Sequence, residues 1–213
     1  MDLGQIDLSK YIRLGQNPLG LGHDADPSST VVAVTVIGVV VRPRSTFAAL
    51  ADAPRLSLGF AAVLGSGIVA LALGLLANQI GGGGAPGMIA SLLLPLLFLV
   101  YWGAASLIID AAAGLSARSG RWRQYLAVSG FTFIPWIAYG VLSVVEAAAG
   151  ASTVAQSVIA WLTLPLLAWF LYLTALAVFS VFDVTPFVAV AMAMLPDAVL
   201  LFLLIVLLVA AKL

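Results

Sequence analysis

The sequence predicts an all-α membrane protein: a bundle of five transmembrane helices preceded by a short cytosolic interfacial segment. Hydrophobic residues make up 63% of the chain and charged residues only 8%, whereas soluble domains usually carry about 25% charged residues. Apolar stretches of about 20 residues, the length needed to cross a bilayer, occur five times. Short segments rich in Gly, Pro, Ser or Asp separate these stretches and favour turns.

The five predicted spans fill residues 56–213, which we interpret as one transmembrane domain. They cover about 58–79, 88–115, 124–149, 154–182 and 186–211. The fifth span also has a recognisable start. Thr185 can cap it, and Pro186 can occupy the first helical position without losing a hydrogen bond.

Two further segments precede the first span. Residues 1–29 are predicted to form a polar cytosolic tail, which lacks the basic-then-apolar order of a signal peptide. Residues 30–41 are apolar and β-branched but too short to span the membrane unaided. We therefore predict that residues 30–55 contain an interfacial or re-entrant segment followed by a short amphipathic helix.

In that short helix, Ser45 is expected to act as the cap and Pro54 to end the helix. Phe47, Leu50 and Ala51 then share one face. We expect this face to lie along the membrane surface. An ordinary linker turn is the alternative.

The distribution of positive charge predicts the orientation. Eight of the nine Lys and Arg residues precede the first span or lie between the second and third, and only Lys212 follows the fifth. The positive-inside rule therefore places the N-terminus in the cytosol and the C-terminus outside. Five arginines of these segments are candidate cytosolic basic contacts: Arg42, Arg44, Arg118, Arg121 and Arg123. At the same level, Trp122 and Tyr125 fit the headgroup region.

Two acids inside the predicted spans are candidate functional residues, because ionisable side chains are costly in a bilayer. Asp197 follows Pro196 near the middle of the fifth span, where it could bind a cation or relay a proton. We prefer a packing role, with the acid hydrogen-bonded to Tyr101, Tyr139 or Tyr172.

Asp110 lies near the cytosolic end of the second span, shortly before three arginines of the following loop. A structural ion pair with Arg118, Arg121 or Arg123 is preferred over a ligand role.

Small residues recur every four positions in the first span, at Ala62, Ser66, Ala70 and Gly74. Such a face lets two helix backbones approach closely. We expect it to pack within the chain, with self-association as the alternative.

The sequence predicts no catalytic, cofactor or metal site. The chain has no cysteine, and its one histidine, His23, stands in the polar tail beside two aspartates, a weak set of metal ligands. Serines in the spans have no intramembrane histidine or lysine to activate them. A net charge of zero with scattered cations argues against a nucleic-acid partner.

Two stretches resemble a known family. Ile37 to Phe47, followed by Leu50 and Pro54, is similar to the first segment of Yip1-domain membrane proteins. Gly120 to Leu126, continuing into Ser129 to Trp136, resembles that family's small-residue loop and proline-containing third span. The resemblance covers most of residues 31–213 and implies five spans with a cytosolic N-terminus.

The resemblance also bears on function. Eukaryotic Yip1-like proteins are associated with vesicle trafficking and prenylated Rab-type GTPases, whereas the prokaryotic members have no settled biochemical role. The short tail and the Ala-, Gly-, Leu- and Val-rich composition resemble a prokaryotic member, which implies a plasma membrane location.

We therefore predict a non-enzymatic Yip1-like protein that organises membrane partners or lipids, with membrane proteins or a second copy as further partners. One alternative is a small ion or proton-coupled transporter or channel that uses Asp197 and Asp110. A second is a subunit of a larger membrane complex.

Overall fold

The computed structural model describes residues 27–115, 118–150 and 152–210, and these residues fold into helices joined by short turns. Most of the predicted tail, including His23, and Lys212 near the C-terminus lie outside the described residues. In chain order the α-helices are α1 (Pro27–Val41), α2 (Pro43–Asp52), α3 (Leu56–Ile80), α4 (Ala85–Gly114), α5 (Trp122–Ser129), α6 (Ile134–Ala149), α7 (Thr153–Phe182) and α8 (Pro186–Ala210).

Five helical stretches are long and apolar enough to cross a membrane. They are Leu56–Ile80, Ala85–Gly114, Trp122–Ala149, Gln156–Phe182 and Pro186–Ala210. This confirms the predicted all-α fold class with five spans. At the start of α8 the main-chain N–H of Val188 lies 3.5 Å from the Thr185 hydroxyl, which accepts its hydrogen bond.

The third span is not one continuous α-helix. Gly130–Phe133 form a 3-10 turn between α5 and α6. Pro135, in the first turn of α6, has no main-chain N–H to donate and is tolerated there. The turn brings Phe133 against Phe170 of α7, with ring centroids 6.3 Å apart.

The break in the third span coincides with a backbone crossing of α3. A Cβ atom added to Gly130 would overlap the carbonyl oxygen of Gly59 and lie 2.6 Å from its Cα atom. A Cβ atom added to Gly59 would lie 2.6 Å from the carbonyl oxygen of Leu126. Only glycine on both helices permits this approach.

The small-residue face of α3 lies inside the bundle. Ala62, Ser66 and Ala70 are buried. Gly74 lies against α4, where an added Cβ atom would be 2.8 Å from the Ser91 hydroxyl oxygen. At Gly74 this face therefore contacts α4, and its other three residues pack inside the chain.

The short helix before the first span differs from the sequence prediction in two ways. The helix begins at Pro43, and Ser45 does not cap it. The Ser45 hydroxyl instead donates a hydrogen bond to the carbonyl of Arg42, 3.2 Å away. Phe47, Leu50 and Ala51 do share a face, but that face is buried in the main core cluster with residues of α5 and α7. The expectation that it lies along the membrane surface was wrong, because the bundle offers it an apolar partner.

Candidate functional site

One end of the bundle gathers the described arginines, and we call it the basic end. Helices α3 and α8 begin at this end and helices α4 and α7 end at it. The segments that join α2 to α3, α4 to α5 and α7 to α8 therefore all lie at this end. The arginines of this end are Arg42, Arg44, Arg55, Arg118, Arg121 and Arg123. At the opposite end, the described connections, residues 81–84 and 150 with 152, contain no Lys or Arg.

Asp110 fixes the loop between α4 and α5. Its two carboxylate oxygens accept the main-chain N–H groups of Gly120, at 3.1 Å, and of Arg121, at 2.9 Å. Arg121 is the N-cap residue of α5, but its side chain makes no capping hydrogen bond to that helix. Asp110 thus places negative charge at the positive end of the α5 dipole.

This arrangement differs from the expected ion pair. Asp110 bonds to the backbone of Arg121 rather than to its guanidinium, and Gly120 makes the turn possible with a φ of +88°. The Ser119-Gly120 pair was the sequence signal for this turn, but nothing in the sequence indicated that an acid ten residues earlier would hold it.

Two of the arginines are used to close the end of α7. Arg118 Nη1 donates to the carbonyl of Phe182 at 2.8 Å, and Arg121 Nη1 donates to the carbonyl of Val181 at 2.7 Å. The last carbonyls of a helix have no partner within it and carry partial negative charge. Both guanidinium groups therefore tie the α4–α5 loop to the end of α7.

The α4–α5 loop, α5 and the end of α7 form a connected unit that we call the platform. A further hydrogen bond attaches α2 to it. Gln124 Nε2 donates to the carbonyl of Ala51 at 2.8 Å. Beneath it, the ring of Tyr125 is buried and lies 5.9 Å from that of Phe182. Tyr125 is therefore a core residue and not the headgroup-level residue that the sequence pattern indicated.

Arg44 and Arg123 face outward from this platform. Both are exposed at the protein surface. The guanidinium carbon of Arg123 lies 5.3 Å from the centre of the Trp122 ring, a cation–π distance. Four of the five candidate basic contacts thus divide into two arginines that hold the fold, Arg118 and Arg121, and two that present charge, Arg44 and Arg123.

The second candidate acid, Asp197, lies halfway along α8. The hydroxyl of Tyr101 on α4 donates to Asp197 Oδ1 at 2.7 Å. Ala189 and Ala193, which lie eight and four residues earlier along α8, are buried. Asp197 itself is exposed, and Tyr101 is one of the three tyrosines that the sequence suggested as its partner.

Next to this pair is a small polar region. Trp102 Nε1 donates to the Ser129 hydroxyl at 3.0 Å, and the Thr132 hydroxyl donates to the carbonyl of Ser129 at 2.8 Å. The cavity they line with Tyr101 and Tyr125 has a volume of about 10 Å³. A cavity of this size holds about one water molecule. It forms no continuous route through the bundle.

The fold and this site define the class of protein: a multi-pass, all-helical integral membrane protein surrounded by lipid. The chain belongs to the Yip1 family, because the sequence model described as Yip1 domain matches residues 37–208. No curated protein and no solved structure is significantly similar to the chain.

Proposed function

We propose that this protein is a non-enzymatic member of the Yip1 family that organises membrane partners or lipids from its basic end, which lies in the cytosol. One observation carries the proposal: the hydrogen bonds of Asp110, Arg118, Arg121 and Gln124 fix the loop, α2 and the end of α7 to one another. A platform held in this way presents Arg44 and Arg123 from defined positions, which reduces the ordering cost of binding a partner.

The gathering of the described arginines at one end supports this orientation, since positively charged loops tend to remain on the cytosolic side. The chain contains no cysteine, so single cysteines can be labelled without background. We expect Ser119→Cys to react with a membrane-impermeant maleimide only after permeabilisation. Ala85→Cys, at the opposite end, should react in intact cells. The reverse pattern would contradict the proposed orientation.

The same two cysteines test the organising role. With a cysteine-coupled photocrosslinker in native membranes, Ser119→Cys should give discrete adducts that weaken several-fold when Arg44→Gln and Arg123→Gln are added. Ala85→Cys is the matched position at the other end and should give no adduct of the same mass. Identical adducts from both ends, or adducts insensitive to the two arginines, would contradict binding through the basic end.

Transport through Asp197 is the alternative, and a flux measurement separates it from the proposal. We expect proteoliposomes of the wild type, of Asp197→Asn and of Tyr101→Phe to show the ion and proton flux of empty vesicles, because the adjoining cavity is no larger than one water molecule. Asp197→Asn keeps a side-chain oxygen that can accept the hydrogen bond from the Tyr101 hydroxyl. The variant therefore tests only the loss of the negative charge of Asp197. Flux in the wild type that disappears in Asp197→Asn would overturn the organising role.

A further inference from the structure

A cleft of about 490 Å³ lies between α2, α7 and α8. Its lining includes Arg44 and Ala48 of α2, Leu176 and Phe179 of α7, Asp183 of the following turn and Val190 of α8. Its size is in the range of small-molecule and cofactor sites. Neither Asp110 nor Asp197 lines it, but Arg44 of the basic end does.

The cleft is polar at one end and apolar along its length. Arg44, Asp52 and Asp183 lie at the basic end, where α7 has just ended and α8 is about to begin. Tyr172 lies ten residues before the end of α7, which corresponds to about 15 Å along the helix. Between these levels the walls are mainly apolar, with Leu176, Phe179 and Val190.

Both long walls of the cleft belong to membrane-spanning helices. Phe179 and Val190 expose 43% and 49% of their surface, so the cleft opens sideways between α7 and α8 rather than into the bundle. In a bilayer, that opening faces acyl chains, and the charged end lies at headgroup level. A phospholipid therefore fits this position better than a water-soluble ligand.

The charges at the polar end select among headgroups. Arg44 supplies a guanidinium that can pair with a phosphate, and Asp183 supplies a carboxylate. A purely anionic headgroup would meet the like charge of Asp183 beside Arg44. A headgroup with a phosphate and a primary ammonium pairs with both signs, and its N–H groups donate to the Asp183 carboxylate.

We propose that the cleft between α2, α7 and α8 binds one aminophospholipid, with its phosphate at Arg44, its ammonium at Asp183, and an acyl chain along Leu176 and Phe179. This inference deepens the proposed function, because lipid is one of the two kinds of partner which that function names.

Native mass spectrometry of the full-length protein with equal amounts of phosphatidylethanolamine, phosphatidylglycerol and phosphatidylcholine tests the site. We expect one phosphatidylethanolamine to be retained over phosphatidylglycerol by about tenfold, a difference typical of one favourable charge pair. Equal retention of the three lipids, or a preference for phosphatidylglycerol, would overturn the proposal.

Three variants locate the binding. Asp183→Asn should reduce the preference from about tenfold to about threefold while phospholipid still binds, since charge-assisted hydrogen bonds are about twice as strong as neutral ones. Asn is also tolerated at the φ of +50° found there. Arg44→Gln should weaken retention of all three lipids. Ala48→Phe should weaken retention of all three lipids several-fold, because its ring would occupy part of the cleft from an exposed position on α2.

Two matched controls complete the design. Arg55→Gln removes a cation from the basic end outside the cleft, and Ala61→Phe adds a ring to an exposed position of α3. Both should retain lipid as the wild type does. If Ala48→Phe binds lipid normally while its thermal midpoint is unchanged, the cleft is not the site. Crosslinking from Ser119→Cys can succeed whatever the outcome here, so failure of the lipid site and failure of the organising role are distinguishable.

Discussion

Gly130→Ala is expected to destabilise the bundle more than any other single methyl group added along α3 or the third span. That methyl group would overlap the carbonyl oxygen of Gly59 and lie 2.6 Å from its Cα atom. Because the obstacle is the backbone of a packed helix and not a flexible side chain, α3 must move as a whole. Overpacking of cores typically costs about 1–3 kcal/mol, and we expect a loss at or above the upper end. The measurement is thermal unfolding of the purified protein in detergent, together with the monodisperse yield.

A glycine of α3 outside the crossing provides the control. An added Cβ atom at Gly65 meets no atom within 4 Å, so Gly65→Ala should unfold at the wild-type midpoint or slightly above it, because alanine favours the helix. Gly59→Ala, on the α3 side of the crossing, should behave like Gly130→Ala. If Gly59→Ala and Gly65→Ala have the same midpoint, the backbone crossing does not limit stability.

The sequence predicted the spans well because bilayer thickness sets a length that apolar runs must reach. The turns between them were recognisable for local reasons, such as Thr185 and Pro186 at the start of α8. The 3-10 break at Gly130 was not predicted. It coincides with the approach of Gly59, a contact between positions 71 residues apart, and it lies just before Pro135, whose ring disfavours a continuous helix through Phe131.

The environment of the short N-terminal helix was harder to predict. Phe47, Leu50 and Ala51 form an apolar face in either environment, so the spacing indicated a helix but not its partner. Tyr125 shows the same difficulty, since an amphipathic ring suits both a headgroup region and a core. Membrane surface and protein core are both apolar neighbours, and only the packed bundle distinguishes them.

The sequence predicted which residues form the candidate site but not how they contact one another. The sequence identified Asp110 and the neighbouring arginines as interacting groups, but it suggested side-chain ion pairs. In the structure, helix ends provide the partners: an N-terminal N–H pair for Asp110 and C-terminal carbonyls for Arg118 and Arg121. Helix termini carry unpaired groups whose partners depend on tertiary packing. Similarly, the cleft beside Arg44 is formed by three separate helices and leaves no sequence signature.

The second large effect is expected from the arginines that hold α7. Substituting Arg118→Ala and Arg121→Ala together removes the guanidinium hydrogen bonds to Phe182 and Val181. A hydrogen bond to a charged group contributes about 1.5–3 kcal/mol. Both bonds are partly buried, so we expect the double variant to lose about 3 kcal/mol or more, measured by unfolding in detergent.

The matched control removes the same number of cations from the same end. Arg44→Ala with Arg123→Ala deletes outward-facing side chains, of which only the Trp122 contact of Arg123 has a measurable value, about 1 kcal/mol or less. We therefore expect this control to fold normally and yet to lose the crosslinked adducts of Ser119→Cys. Equal destabilisation by the two double variants would mean that total positive charge, and not the two carbonyl contacts, stabilises this end. A clear difference in stability between the two double variants would show that Arg118 and Arg121 stabilise the platform, whereas Arg44 and Arg123 present charge to a partner.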